Sequence, residues 1–136
     1  MSHYAELKTQ IKDEKALVAA LVRMGFKEEH VEIHKEATNL YGYHGDKRND
    51  KAEIIIRRKY IGGSSNDIGF KKQADGTYKA IISDFDRTSM GYNQKWLDKT
   101  GTYYNVEKSK IAAKHRGFKF KETTTKEGKL QLCLTK

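Results

Sequence analysis

Residues 52–85 read as three strands joined by two turns, and no other stretch of the chain restricts the fold as much. The strands cover 52–61, 66–72 and 77–85, and the turn signals are Gly62-Gly63-Ser64-Ser65 and Ala74-Asp75-Gly76. Connections this short cannot carry a parallel crossover, so the strands are expected to pair as antiparallel hairpins. The first strand contains Ile54-Ile55-Ile56 without a polar break, which calls for cover on both of its faces.

The flanks add helices and more strands. Residues 4–11 alternate, with Ala5, Leu7, Thr9 and Ile11 on one side and Glu6, Lys8 and Gln10 on the other, the pattern of a half-buried strand. Asp13 is placed to cap a helix with Leu17, Ala20, Leu21 and Met24 on its apolar face, and Gly25 to end it. A strand follows over 31–37, with Val31, Ile33 and Ala37 facing one way. The last third predicts a helix starting at Asn93 or Tyr103 and running to His115, which Gly101 would split. Gly117 closes it, and a hairpin of 118–124 and 130–135 turns at Lys126-Glu127-Gly128-Lys129, with Leu130, Leu132 and Leu134 inward. The expected architecture is one α+β domain over 1–136, a mainly antiparallel sheet of about six or seven strands with two helices on one face, ferredoxin-like order being one option. Met24-Gly25-Phe26-Lys27 and Arg116-Gly117-Phe118-Lys119 echo each other, as two related halves or as one cap used twice.

Composition narrows the function classes. The one cysteine, Cys133, excludes an internal disulfide framework and is read as a small hydrophobe in a strand, which fits a reducing compartment. No apolar run approaches about 18 residues, so no membrane insertion is expected. The start, Met1-Ser2-His3-Tyr4-Ala5-Glu6, lacks a secretory pattern, which places the protein in the cytoplasm or a space like it. The net charge of +9 is uneven. Residues 1–40 hold six lysines and arginines against seven acids, 47–60 six against two, and 107–129 eight against three. Such local excess attracts anionic partners or serves only to keep a small domain soluble.

Candidate chemistry is sparse. Ile82-Ser83-Asp84-Phe85-Asp86-Arg87-Thr88 has the strand-then-Asp-x-Asp-x-Thr form of haloacid dehalogenase phosphotransferases, in which the first carboxylate attacks phosphorus beside magnesium. The later β-α units of that fold are absent, so Asp84 and Asp86 are assigned to a strand end, one of them capping the next turn. His30 and His34 have zinc-like spacing but sit in strand surroundings, with no supporting third ligand. Gly42, Gly45, Gly62 and Gly63 lack the strand-before, helix-after setting of a phosphate loop. The chain is therefore read as a non-enzyme without cofactor or metal.

What remains is a surface. Tyr41, Tyr43 and His44 in an aromatic–glycine loop, Lys47 and Arg48 beside it, Arg57, Arg58 and Lys59 at the end of the basic strand, and Lys71 and Lys72 after Phe70 make one candidate partner-binding set. Aromatics with cations suit first a protein partner, for which the chain would be a binding or adaptor module, and as the alternative RNA or single-stranded nucleic acid, where bases stack and phosphates pair.

The opening Met1-Ser2-His3-Tyr4 with Leu7-Lys8-Thr9-Gln10-Ile11, the loop Tyr41-Gly42-Tyr43-x-Gly45, Ala52-x-Ile54-Ile55-Ile56-Arg57, Asp67-Ile68-Gly69-Phe70 and Gly128-x-Leu130-x-Leu132 resemble the hypothetical chloroplast reading-frame thirty-five family of plastids, cyanobacteria and other bacteria. The resemblance spans essentially the whole chain. It implies a compact soluble protein of cytoplasm or plastid stroma, with no known substrate. It also implies, by gene association, a protein partner such as an AAA-type ATPase or larger complex. Many relatives have a Trp-rich stretch after the strand equivalent to 78–84; this chain has Asp84-Phe85-Asp86-Arg87 there and its only tryptophan at Trp96.

Overall fold

A computed structural model describes residues 3–136; Met1 and Ser2, part of the opening motif, lie outside the described residues. The elements are β1 (Tyr4–Lys8), α1 (Glu14–Arg23), β2 (Val31–Tyr41), β3 (Lys47–Ile56), β4 (Ile68–Lys72), β5 (Tyr78–Ser83), α2 (Asp84–Ser89), α3 (Gln94–His115), β6 (Lys119–Thr124) and β7 (Leu130–Thr135). Short 3₁₀ turns occupy Glu28–His30 and Arg58–Tyr60.

β2 to β5 run as an antiparallel meander, and β1 pairs outside β5, so the sheet order is β1-β5-β4-β3-β2. β1 and β2 therefore point the same way at opposite edges, and α1 carries the chain across the sheet between them. The α+β class and the antiparallel sheet hold, with five strands in the main sheet and two in a second. The ferredoxin-like option does not: four consecutive strands pair as neighbours, instead of the interleaved βαββαβ order.

Side-chain alternation explains the two faces. Ile54, Ile56, Ile68, Phe70, Ala80 and Ile82 point to one side and pack against Leu17 and Leu21 of α1 and Leu97 and Tyr104 of α3. Asp13 caps α1 by accepting from the Ala16 amide at 3.0 Å, and Asn93 caps α3 by accepting from Trp96 at 3.1 Å. Gly101 does not split α3, because Leu97, Thr100 and Tyr104 are buried on either side of it and hold the helix as one rod. On the other face Ile55 and Ile81 meet Leu40 and Ala52. The isoleucine run is thus covered on both sides, as its lack of alternation requires.

The second cover is the β2–β3 hairpin itself. Its register shifts between Ile33 and Thr38 and again between Asn39 and Tyr41. Extra residues of this kind bend and twist a strand, which lets Leu40 and Ala52 lie over Gly69 of β4. Several expectations change here. β2 continues to Tyr41 instead of stopping at Ala37, and Ile33 is 51% exposed, not inward, because it sits on the sheet edge. β3 begins at Lys47 and ends at Ile56, so Arg58 and Lys59 lie in the 3₁₀ turn. β1 ends at Lys8; Thr9 then donates its hydroxyl to the Tyr78 carbonyl, and Ile11 enters the core. β5 stops at Ser83, and α2 follows it, a helix not foreseen. Its signal is the capping spacing Ser83-x-x-Asp86, with the Ser83 hydroxyl accepting from the Asp86 amide at 3.1 Å.

The β6–β7 hairpin forms its own sheet. Leu130 and Leu132 are half-buried, but Leu134 is exposed, contrary to the inward reading of all three leucines. The helix–Gly–Phe echo is one cap used twice: Phe26 donates to the Leu21 carbonyl and Phe118 to that of Ala113, each past a glycine at positive φ. The following strands diverge, one into the main sheet and one into this hairpin.

Candidate functional site

The aromatic–glycine loop is held by Ser65-Asn66-Asp67, three polar residues with no exposed surface. The Asp67 carboxylate accepts from the Tyr41 amide at 2.7 Å, the Arg58 amide at 2.7 Å and Arg57 Nη1 at 2.8 Å. Its backbone amide donates to the Tyr41 carbonyl, and its carbonyl accepts from the Tyr4 hydroxyl at 2.7 Å. Burial, then the neighbouring Asp67 charge, pushes the Tyr4 hydroxyl far above its ordinary pKa, so it stays a donor. Arg57 also forks onto Glu32 with two bonds of 2.9 Å. Burial works against the Glu32 charge, yet hydrogen bonds from Arg57 and His34 hold its pKa below the usual carboxylate range.

Asn66 continues the anchorage. Its side-chain oxygen accepts from the Tyr43 amide at 3.0 Å, and its NH₂ donates to Ser83 Oγ at 2.9 Å. Ser83 Oγ and the Asn66 amide both donate to Oδ2 of the buried Asp86. The loop that carries Tyr43 is thereby tied through three residues to the start of α2.

The ten candidate residues divide on this frame. Arg57 and Arg58 are half-buried and held by the chain: Arg57 serves Glu32 and Asp67, while Arg58 donates to the carbonyls of Ser65 and Gly63. Tyr41 anchors by its backbone and shows its ring at the surface, with the Arg57 guanidinium 5.7 Å away. Arg48 lies 5.0 Å over the Tyr4 ring. Tyr43 and His44 lie against each other at the loop tip, ring centroids 3.8 Å apart and planes tilted by 38°, both exposed. Lys47 is exposed beside them. Lys59 covers Tyr60, whose other neighbour is the His30 ring at 3.7 Å. Lys71 stands elsewhere, opposite Lys79 on β5, and Lys72 is at the far end of β4. The set therefore contracts to Tyr41, Tyr43, His44 and Lys47 around one rigid loop.

The acidic pair separates: Asp84 is exposed and bonded to Arg87, whereas Asp86 is buried in the Ser83–Asn66 network. His34 bonds Glu32 and His30 stacks on Tyr60, so the two histidines do not converge. Among the described residues no three His, Cys, Asp or Glu side chains gather as a metal-holding group. The larger grooves also lie away from the loop, one of about 590 Å³ along Val18, Val22 and Ile33 on the outer side of α1.

Sequence reasoning missed a second polar cluster. Arg23 grips Glu122 with two bonds of 2.6 and 2.7 Å, and Lys110 reaches Glu122 at 2.8 Å and Glu107 at 3.1 Å. This joins α1, α3 and β6 and holds the terminal hairpin. Hydrogen bonds from Arg23 and then Lys110 depress the Glu122 pKa from 4.5 to about 2. Its stabilising contribution is thus complete above pH 4.5 and fades as the pH falls toward 2. Glu122→Gln at neutral pH is expected to raise hydrogen exchange of the β6–β7 amides about tenfold without affecting β3 to β5, since opening is local. Equal acceleration in both sheets would contradict the hairpin's separate docking.

No helix among the described residues is long and apolar enough to cross a membrane. A family model described as "Protein of unknown function (DUF1257)" matches residues 20–133. No match was found among curated proteins or among solved structures.

Proposed function

From a chain that belongs to the DUF1257 family, proteins of unknown function, we propose a non-enzymatic binding module that docks a protein partner through the loop bearing Tyr43 and His44. The observation that carries this reading is the mounting of the two rings. Their loop is fixed at the Tyr41 amide, the Tyr41 carbonyl and the Tyr43 amide by buried Asp67 and Asn66. An exposed aromatic pair on a rigid mount loses little conformational entropy on binding, which is the property of an interface anchor. Lys47, and Lys59 farther along, supply a cationic rim. Arg57 is paired with Glu32 and Asp67, which removes one cation from the rival reading of RNA on this same surface.

The finer placement, with the chloroplast reading-frame thirty-five proteins of cytoplasm or stroma, rests on the motifs quoted above. A partner of the AAA-type ATPase class rests on gene association alone. The test is quantitative affinity capture from the native cell with the wild type and with Tyr43→Ala/His44→Ala. Both rings point outward, so the variant is expected to keep its melting temperature while its specific partner falls at least tenfold, roughly the 1–2 kcal/mol of a hot-spot pair. Retention of the same partners by the folded variant would remove the loop from the interface.

A further inference from the structure

The positive charge of this protein gathers away from the loop. Residues 93–136 hold eleven lysines and arginines against four acids. Of those acids, Glu107 and Glu122 are engaged by Arg23 and Lys110 beneath the β6–β7 ribbon, and Asp98 accepts from Gln94. The ribbon sorts its residues by face. Glu122 turns toward the helices with the half-buried Leu130 and Leu132. The opposite face consists of Lys119, Lys121, Thr123, Gln131, Cys133 and Thr135. Across the ribbon Lys119 pairs with Thr135 and Lys121 with Cys133, so neither lysine has a carboxylate opposite. Arg116 and Lys136 stand at the ribbon's base, 5.9 and 5.4 Å from the Phe118 ring, which by alternation lies on the side of Phe120 and Glu122, and at the tip Lys126 and Lys129 flank the fourth acid, Glu127.

Lysines on an open ribbon ordinarily keep its edges from pairing with other chains. That role does not require a whole face without acids, nor further cations at both ends of the ribbon. We propose that this face binds double-stranded DNA, with Lys119 and Lys121 neutralising phosphates and the cations at the ribbon's base and tip adding to the attraction. Two strands about 4.8 Å apart, with their side chains, fit the B-form major groove of about 12 Å. The major groove of A-form RNA is too narrow and deep for side chains to enter. Single-stranded nucleic acid is held by exposed aromatics on which bases stack, and the six residues of this face include none.

The probe is fluorescence anisotropy with a labelled random-sequence DNA duplex from about 50 to 200 mM salt, a range over which phosphate contacts weaken measurably. Micromolar binding at the low end is expected, with a linear fall of log affinity against log salt. Lys119→Gln/Lys121→Gln is expected to weaken binding at least tenfold and to flatten the slope by about 2, since each lost phosphate contact removes about 0.9. Lys71→Gln/Lys72→Gln, which removes the same charge on β4, is expected to change it little. Tyr43→Ala/His44→Ala is expected to bind DNA as the wild type does, so failure here and failure of the loop reading are distinguishable. No binding at low salt overturns the proposal. So does an unchanged slope in the ribbon variant, or tighter binding to single strands of equal charge.

Discussion

Asp67→Ala is expected to lower the unfolding free energy by about 3–5 kcal/mol, the range seen when one partner of a buried charged network is removed. For a chain of this size that corresponds to a melting temperature about 10–20 °C lower. The amides of Tyr41 and Arg58 lose their acceptor together, and the Arg57 guanidinium loses one of its two carboxylate partners. Ser65 and Asn66 beside it are fully buried, so water has no open path to replace the carboxylate. Arg57→Met is expected to cost a similar amount, about 3–5 kcal/mol, because the fully buried Asp67 carboxylate loses its counter-ion even though both backbone amides keep their acceptor. Urea denaturation of the two variants measures both quantities. A loss below about 1 kcal/mol for Asp67→Ala would mean that the loop is not held by this carboxylate.

The same network marks how far the sequence could be read. Elements with a local cause were legible: the meander from its turn signals, α1 from Asp13 and its apolar spacing, the end of each long helix from its glycine. The double cover of Ile54-Ile55-Ile56 was legible too, though not what would supply it. The curl of β2 and β3 onto the sheet depends on register shifts, and a strand pattern shows register only through alternation, which Lys35-Glu36-Ala37-Thr38-Asn39 lacks. Arg57 and Arg58 read as surface cations because arginine is usually exposed. Their half-buried placement follows from the Gly63–Asp67 segment, several residues away in sequence and beside them only after the turn at Arg58–Tyr60 forms. Asp67-Ile68-Gly69-Phe70 read as a family marker, yet every one of its residues serves the fold. Asp67 centres the polar network, Ile68 fills the core, Gly69 receives the hairpin, and Phe70 is the largest of the fully buried side chains. The outward-facing rings of Tyr43 and His44 were within reach of the sequence. The rigidity that makes them candidates was not.

Gly69→Ala is expected to cost about 2–3 kcal/mol, an overpacking effect. A Cβ at this position would stand 2.7 Å from the Ala52 Cβ and 3.1–3.2 Å from the Leu40 methyl carbons. The Leu40 methyl carbons are the far end of a flexible side chain, but the Ala52 Cβ is fixed to the backbone of β3, so the clash with Ala52 must be relieved by moving the hairpin. Ala52→Gly in the same chain removes the nearest atom and is expected to recover part of the loss. A glycine inside a strand itself costs about 1 kcal/mol, so rescue stays incomplete. The cycle of the two single variants and the double variant is expected to give a coupling of at least about 1 kcal/mol, far above the additivity expected of distant sites. Additive effects would show that β2 and β3 do not press on β4 at this point. The same variant connects stability to function. Lifting the hairpin off Gly69 displaces the loop at its tip, so Gly69→Ala should weaken partner capture at temperatures where the core sheet is still folded. Ala52→Gly should restore capture in step with stability, because Tyr43 and His44 remain unchanged and only their mounting has moved.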